Sequence, residues 1–175
     1  MKTTEEKIRQ ELVEKIAGEM AVAARTAPKA RGTDLLEILI LTGGDIVLLA
    51  EKMKAIGERE SHQTFSRDSE NIRKALALVL IGTKKKVIGL KYCSFCGRAN
   101  CAEAEKAGVI CAYNTGDLGI AIGSAVSVAM DHRIDNRVMY SAGKAAIEGG
   151  FLSEEVIVAY GIPLSVSGKN PFFDR

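Results

Sequence analysis

Apolar residues open the chain at helical spacing. Ile8, Leu12, Val13, Ile16, Met20, Val22 and Ala23 alternate with Glu and Lys, which predicts an amphipathic helix over residues 3–25. Pro28 ends it, and Lys29-Ala30-Arg31-Gly32 makes a basic turn. The pattern then changes. Residues 35–42, Leu-Leu-Glu-Ile-Leu-Ile-Leu-Thr, predict a largely buried strand, broken by Gly43-Gly44. Asp45 is placed to cap a helix that runs to about Ile56. The polar stretch 57–64 reads as a loop, and Ser66 and Asp68 open a short helix over 66–74. Residues 75–82, Ala-Leu-Ala-Leu-Val-Leu-Ile-Gly, form a second buried strand. Lys84 to Tyr92 leads into a cysteine-bearing segment. Helices fit Thr115 to about Arg133, with many small residues, and Arg137 to Glu148, closed by Gly149-Gly150. Val156 to Leu164 is the third strand, and the tail from Ser165 is polar, then aromatic.

This order predicts one α/β domain over residues 1–175, of layered α+β type. A small, mostly buried sheet is flanked by several helices, and a cysteine-rich metal-binding loop at 92–112 interrupts it. The composition is 47% hydrophobic and 26% charged, with 5% aromatics and no tryptophan. The core must therefore be built from Ala, Val, Ile, Leu and Met. A net charge of +2 is too small to argue for a nucleic-acid partner. The first residues are polar, and every apolar stretch is interrupted before ~18 residues, so no membrane span is expected. A cytoplasmic location follows, in which thiols stay reduced.

That location gives the cysteines their meaning. Cys93, Cys96, Cys101 and Cys111 are the only four in the chain and fall within 19 residues, spaced C-x2-C-x4-C-x9-C. Such clustering points to joint use in metal or redox chemistry. Four thiolates suit an iron–sulfur cluster, and [4Fe–4S] is expected because a cubane tolerates uneven spacing when each cysteine binds a different iron. Structural zinc is the main alternative, although zinc modules usually present two close pairs and this segment offers one, and unligated core or redox cysteines are the third reading. Gly97 supplies backbone freedom after the close pair. Tyr92 and Phe95 either shield the centre or simply pack.

Two basic turns are candidates for an anion. Arg25, Lys29 and Arg31 follow the first helix, and Gly168 and Lys169 follow the last strand. Guanidinium and ammonium groups pair well with phosphate oxygens. The run Lys84-Lys85-Lys86 reads as a solvated turn. Gly119 and Gly123 make one smooth helix face, suited to tight packing or to a flat ligand. His62 and His132 read as surface residues.

In combination, four stretches resemble a family of uncharacterised ferredoxin domain-containing proteins. They are Ala23 to Gly32, the cysteine segment, Asp117 to Ala125, and Gly161-Ile162-Pro163-Leu164 with Gly168-Lys169-Asn170-Pro171. The resemblance implies an iron–sulfur cluster. A more distant similarity, in the order of elements, is to FMN-dependent nitroreductases. It implies a flavin phosphate held by Arg25, Lys29, Arg31 and Lys169, and an intertwined homodimer with the flavin at its interface. The chain departs from that pattern by being shorter and by inserting the cysteine loop before the central helix.

The expected function is an iron–sulfur redox protein that also carries FMN as an oxidoreductase. The alternatives are a non-enzymatic electron-transfer module that docks to a partner, and a zinc-stabilised structural protein.

Overall fold

The computed structural model describes residues 2–173. Helix α1 (Glu5–Thr26) is followed by a single 3-10 turn, Ala30–Gly32, and strand β1 (Leu36–Leu41). Helices α2 (Gly44–Arg59) and α3 (Gln63–Ile72) lead to strand β2 (Ala77–Lys84). After the cysteine segment come α4 (Cys101–Lys106), α5 (Ala112–Asp131), β3 (Asp135–Asn136), α6 (Tyr140–Glu148) and β4 (Val156–Ser165). The strands form one sheet in the order β1-β2-β4-β3, antiparallel throughout.

The sheet is covered on both faces, and β2 shows why its sequence is apolar at every step. Ala77, Val79 and Ile81 join one core with α1 and α5, whereas Leu78 and Leu80 join the other with α2, α3 and α6. All five are 0% exposed. Burying each Leu or Ile contributes roughly 1.5–3 kcal/mol. The aliphatic core expected from composition is what the two layers contain. One backbone approach is unusually close: a Cβ built on Gly143 of α6 would lie 1.8 Å from the Ala159 carbonyl oxygen of β4. Only glycine lets that helix rest directly on the strand.

Several local expectations need correcting. Asp45 lies inside the first turn of α2, and the N-cap is Gly43 at φ 49°. Helix α3 begins at Gln63, so Ser66 and Asp68 are internal to it. Asp68 turns inward and is buried because the Ser141 hydroxyl donates to it at 2.6 Å and Arg67 donates two bonds to its other oxygen. The short helix α4 occupies part of the segment expected as loop, and β3 adds a fourth strand. No helix among the described residues is long and apolar enough to cross a membrane.

Candidate functional site

The cysteine segment leaves the sheet at the end of β2 and is anchored before it becomes irregular. Asn114, buried in the first turn of α5, accepts a hydrogen bond from the Lys86 amide at 3.3 Å and donates to the Lys86 carbonyl at 3.0 Å. The Arg31 guanidinium donates to the carbonyls of Ile88 and Gly89 at 3.5 and 3.2 Å. From residue 89 to residue 103 no side chain is buried. Local hydrogen bonds hold this stretch. The Ser94 hydroxyl donates to the Ala99 carbonyl at 3.2 Å, and the Gly97 amide donates to the Ser94 carbonyl at 2.9 Å. Ser94 and Gly97 both have positive φ, 60° and 75°, which turns the chain back between Cys93 and Cys101. Asn100 then caps α4 by accepting from the Glu103 amide at 2.9 Å.

This folding brings the four predicted ligands together. Cys93, Cys96, Cys101 and Cys111 line one pocket. The thiols are free, the first three partly exposed and Cys111 buried as the N-cap of α5. Cys111 therefore stands where the helix dipole favours negative charge. No three Cys, His, Asp or Glu side chains among the described residues converge closely enough to cage a single metal ion. The pocket has a volume of about 20 Å³, room for roughly one water. The donor set fits a cluster with four thiolates, and the 89–103 stretch around it is open to adjustment. No buried side chain in that stretch resists such adjustment.

The two basic turns are placed apart. Arg25 pairs with Asp34 at 2.7 Å and donates to the Leu36 carbonyl at 3.0 Å. Burial pushes the Asp34 carboxyl up, but hydrogen bonds from Arg25 and the Leu36 amide, with the nearby charges of Arg25 and Lys29, hold it below its ordinary value. Lys29 closes the end of α1 by donating to the carbonyls of Ala24, Arg25 and Ala27. The Ala30 amide donates to Asp117 of α5 at 3.0 Å. This turn thus lies against the cysteine segment, beside the Leu36–Thr83 end of the sheet. Lys169 and Gly168 follow β4 at the other end, where Leu164 pairs with Ala77. Helix α1 joins the two ends: Arg9 donates to the Val166 carbonyl, and roughly 24 Å of helix separates Arg9 from Arg25 at 1.5 Å per residue. Within one chain the two turns do not meet.

Lys169 instead joins residues that the sequence reading missed. Arg67, Asn71, Lys74 and Arg137 line the same pocket of about 600 Å³, with Phe172 and Phe173 on its wall. Arg137 lies over the Phe173 ring at 4.8 Å and donates to the Phe172 carbonyl at 2.8 Å. Antiparallel pairing of the strands that follow residue 74 and precede residue 166 would have revealed this meeting, because it puts the start of one beside the end of the other. The predicted glycine face is open: a Cβ on Gly119 or Gly123 would meet nothing within 4 Å, and the same holds for Gly116 one turn earlier. His62, exposed as expected, lies 3.3 Å from the Tyr140 hydroxyl, and exposed His132 lies near Glu19.

Comparison with known proteins agrees with this architecture. In solved structures the fold is similar to the nitroreductase CinD from Lactococcus lactis in complex with nicotinic acid. The TM-score is 0.62 at 15% identity, covering 92% of this chain and 84% of that one. It is also similar to a nitroreductase with bound FMN from Desulfitobacterium hafniense, with a TM-score of 0.60 at 13% identity, covering 89% and 79%. An uncharacterized protein of Archaeoglobus fulgidus is 42% identical over 165 residues, covering 89% of this chain and 88% of the other. Residues 107–175 match the model of a family described as uncharacterized proteins containing a ferredoxin domain; the match includes Cys111 and stops short of the other three cysteines. The ferredoxin-domain description of that family points to a redox role. The chain belongs to this family of ferredoxin-domain proteins, built on a nitroreductase-like fold.

Proposed function

We propose that the protein is an iron–sulfur redox protein, with a [4Fe–4S] cluster ligated by Cys93, Cys96, Cys101 and Cys111. The observation that carries this reading is the convergence of all four thiols on one pocket, in a stretch that no buried side chain holds. Ordering a residue costs ~1–2 kcal/mol in backbone entropy. Apolar burial does not repay that cost between residues 89 and 103, and metal–thiolate bonds would. The uneven spacing, with one close pair rather than two, favours a cubane over zinc. When bound, the cluster supplies one-electron transfer. The chain's own contributions are four thiolates, the amides at the start of α5, and partial cover from Phe95 stacked on Tyr113 at 6.2 Å.

A second cofactor is favoured by the pocket around Lys169. Arg67, Lys74, Arg137 and Lys169 gather cations beside the aromatic Phe173, the combination that a phosphate and a planar ring would use. Solved structures of this fold include an FMN complex. We read the protein as an oxidoreductase in which this pocket holds FMN. Arg25, Lys29 and Arg31 would reach the same flavin only from the partner in a homodimer, because they lie at the other end of their own chain. The reading places the protein in the cytoplasm, where clustered cysteines stay available to a metal centre, and the small net charge gives no reason to invoke nucleic acid.

Anaerobic purification with iron, acid-labile sulfide, zinc and flavin analysis tests these readings. The expected result is brown protein with about four iron and four sulfide per chain, and yellow colour released by acid. Brown protein without flavin would leave an electron-transfer module. Colourless protein with stoichiometric zinc would overturn the cluster and leave a zinc-stabilised structural role.

A further inference from the structure

The charge of the protein is unevenly distributed. Residues 84–111 hold six Lys and Arg against two Glu, a net +4, whereas the whole chain is only +2, so the rest sums to −2. The fold turns this run into a face around the cysteine pocket, except for Lys84, which is paired with Glu155. Lys91 and Arg98 line the pocket itself. Lys85 donates to the Gly108 carbonyl at 2.6 Å, and Arg31 is tied to Gly89, adding a further cation from outside the run. Among the described residues Lys86, Lys91, Arg98 and Lys106 make no ion pair, and all four are exposed. Two aromatic side chains rise from the same surface: Tyr92 is 99% exposed and Phe95 75%.

We propose that this face docks an acidic one-electron carrier protein; the inference rests on the cluster reading for its purpose, although not for its charge. Unpaired cations around a shallow redox site attract a negatively charged protein and speed its arrival, while little area is buried, as suits a brief encounter. Exposed aromatic rings give such an encounter its few specific contacts. A carrier seated on Tyr92 and Phe95 faces Cys93 and Cys96 directly. One electron passes from the reduced carrier to the oxidised cluster; the carrier is oxidised by one electron, the cluster reduced by one, and no bond or proton moves.

The test is calorimetric titration of the full-length protein, with and without reconstituted cluster, using an acidic plant-type [2Fe–2S] ferredoxin as probe. Binding should appear with both forms and weaken ~10-fold or more between 50 and 300 mM salt. The pair K86E/K106E should weaken it by a similar factor at low salt, while K52E/K54E on α2, which makes the same charge change elsewhere, leaves it near the parent. Neither Lys86 nor Lys106 lines the cysteine pocket, so iron and sulfide content should match the parent in both variants. With the loaded protein, the stopped-flow rate of cluster reduction by the reduced ferredoxin should follow the same order. No binding, salt-independent binding, equal loss in both variants, or tighter binding to a single-stranded oligonucleotide or to anionic vesicles would overturn the proposal. Failure to load iron and sulfide would instead overturn the cluster, and titration of the apoprotein would still decide whether the face docks a carrier.

Discussion

Residues 77–81 and residues 89–103 follow one another closely in sequence and are held by different forces. In the first run every side chain is 0% exposed, because the antiparallel sheet is covered by helices on both faces. In the second no side chain is buried, and the chain is kept in place by an Asn cap, two positive-φ turns and side-chain bonds to backbone carbonyls. Stability concentrates where apolar area is buried, and low-stability stretches are where ligands bind. The sheet is therefore the platform, and on the proposed cluster reading the cysteine stretch takes its shape from what it holds.

The sharpest way to break the first region is at Gly143. Gly143→Ala drives a methyl into the Ala159 carbonyl, where the contact would be 1.8 Å. Both partners are backbone, so relief requires moving α6 off β4. We expect a loss of about 3 kcal/mol or more in chemical denaturation. An unchanged midpoint would mean that the helix does not rest on the strand as described.

The second region should break without disturbing the first. Cys96→Ser should abolish cluster loading and leave the denaturation midpoint of the body within ~0.5 kcal/mol of the unloaded parent. Against loaded parent, amide protection over residues 89–103 should fall roughly 10- to 100-fold, while β2 amides keep theirs. Equal loss of protection in both regions would show that they are one cooperative unit.

How much of this was legible in sequence follows the same division. The central strand was plain because Ala77 to Ile81 is apolar at every position, which only a doubly covered strand or a buried helix needs, and the run is short. The start of α3 is not legible in sequence, because Asp68 is a polar residue of the kind that opens helices and here lies inside one. Its partner Ser141 is far away in sequence, and no local pattern announces a buried carboxylate satisfied from another helix. Helix α4 had a usable signal, Asn100 followed three residues later by Glu103, which the cysteine spacing overshadowed. The four thiols were legible because their clustering is a local property. The pocket around Lys169 was not, because Arg67, Lys74 and Arg137 reach it from separate elements.

The open glycine face of α5 offers a smaller test. Gly119→Ala adds a methyl that meets nothing within the chain, so a monomer should gain up to ~1 kcal/mol from helix propensity. If that face packs against a second copy, as the homodimer reading expects, the substitution should instead weaken association in sedimentation measurements.

The smallest effect belongs to the Arg25–Asp34 pair, which lies between the two regions and fixes the turn that carries Arg31. Both side chains are partly exposed, at 47% and 33%, so the pair is worth about 0.2–1 kcal/mol. The Asp34 carboxyl lies below its ordinary value of 3.8 in the folded protein. Its contribution is thus fully present above that value and is lost as pH falls through the lower, folded value. Asp34→Asn retains an oxygen to accept from the Leu36 amide, a bond of 3.0 Å in the parent, and removes the charge together with the oxygen that accepts from Arg25. Parent and variant should therefore differ in stability at neutral pH and converge as the medium becomes acid enough to protonate the parent. If denaturation curves gave the same difference at every pH, the carboxylate charge would play no part in holding the turn.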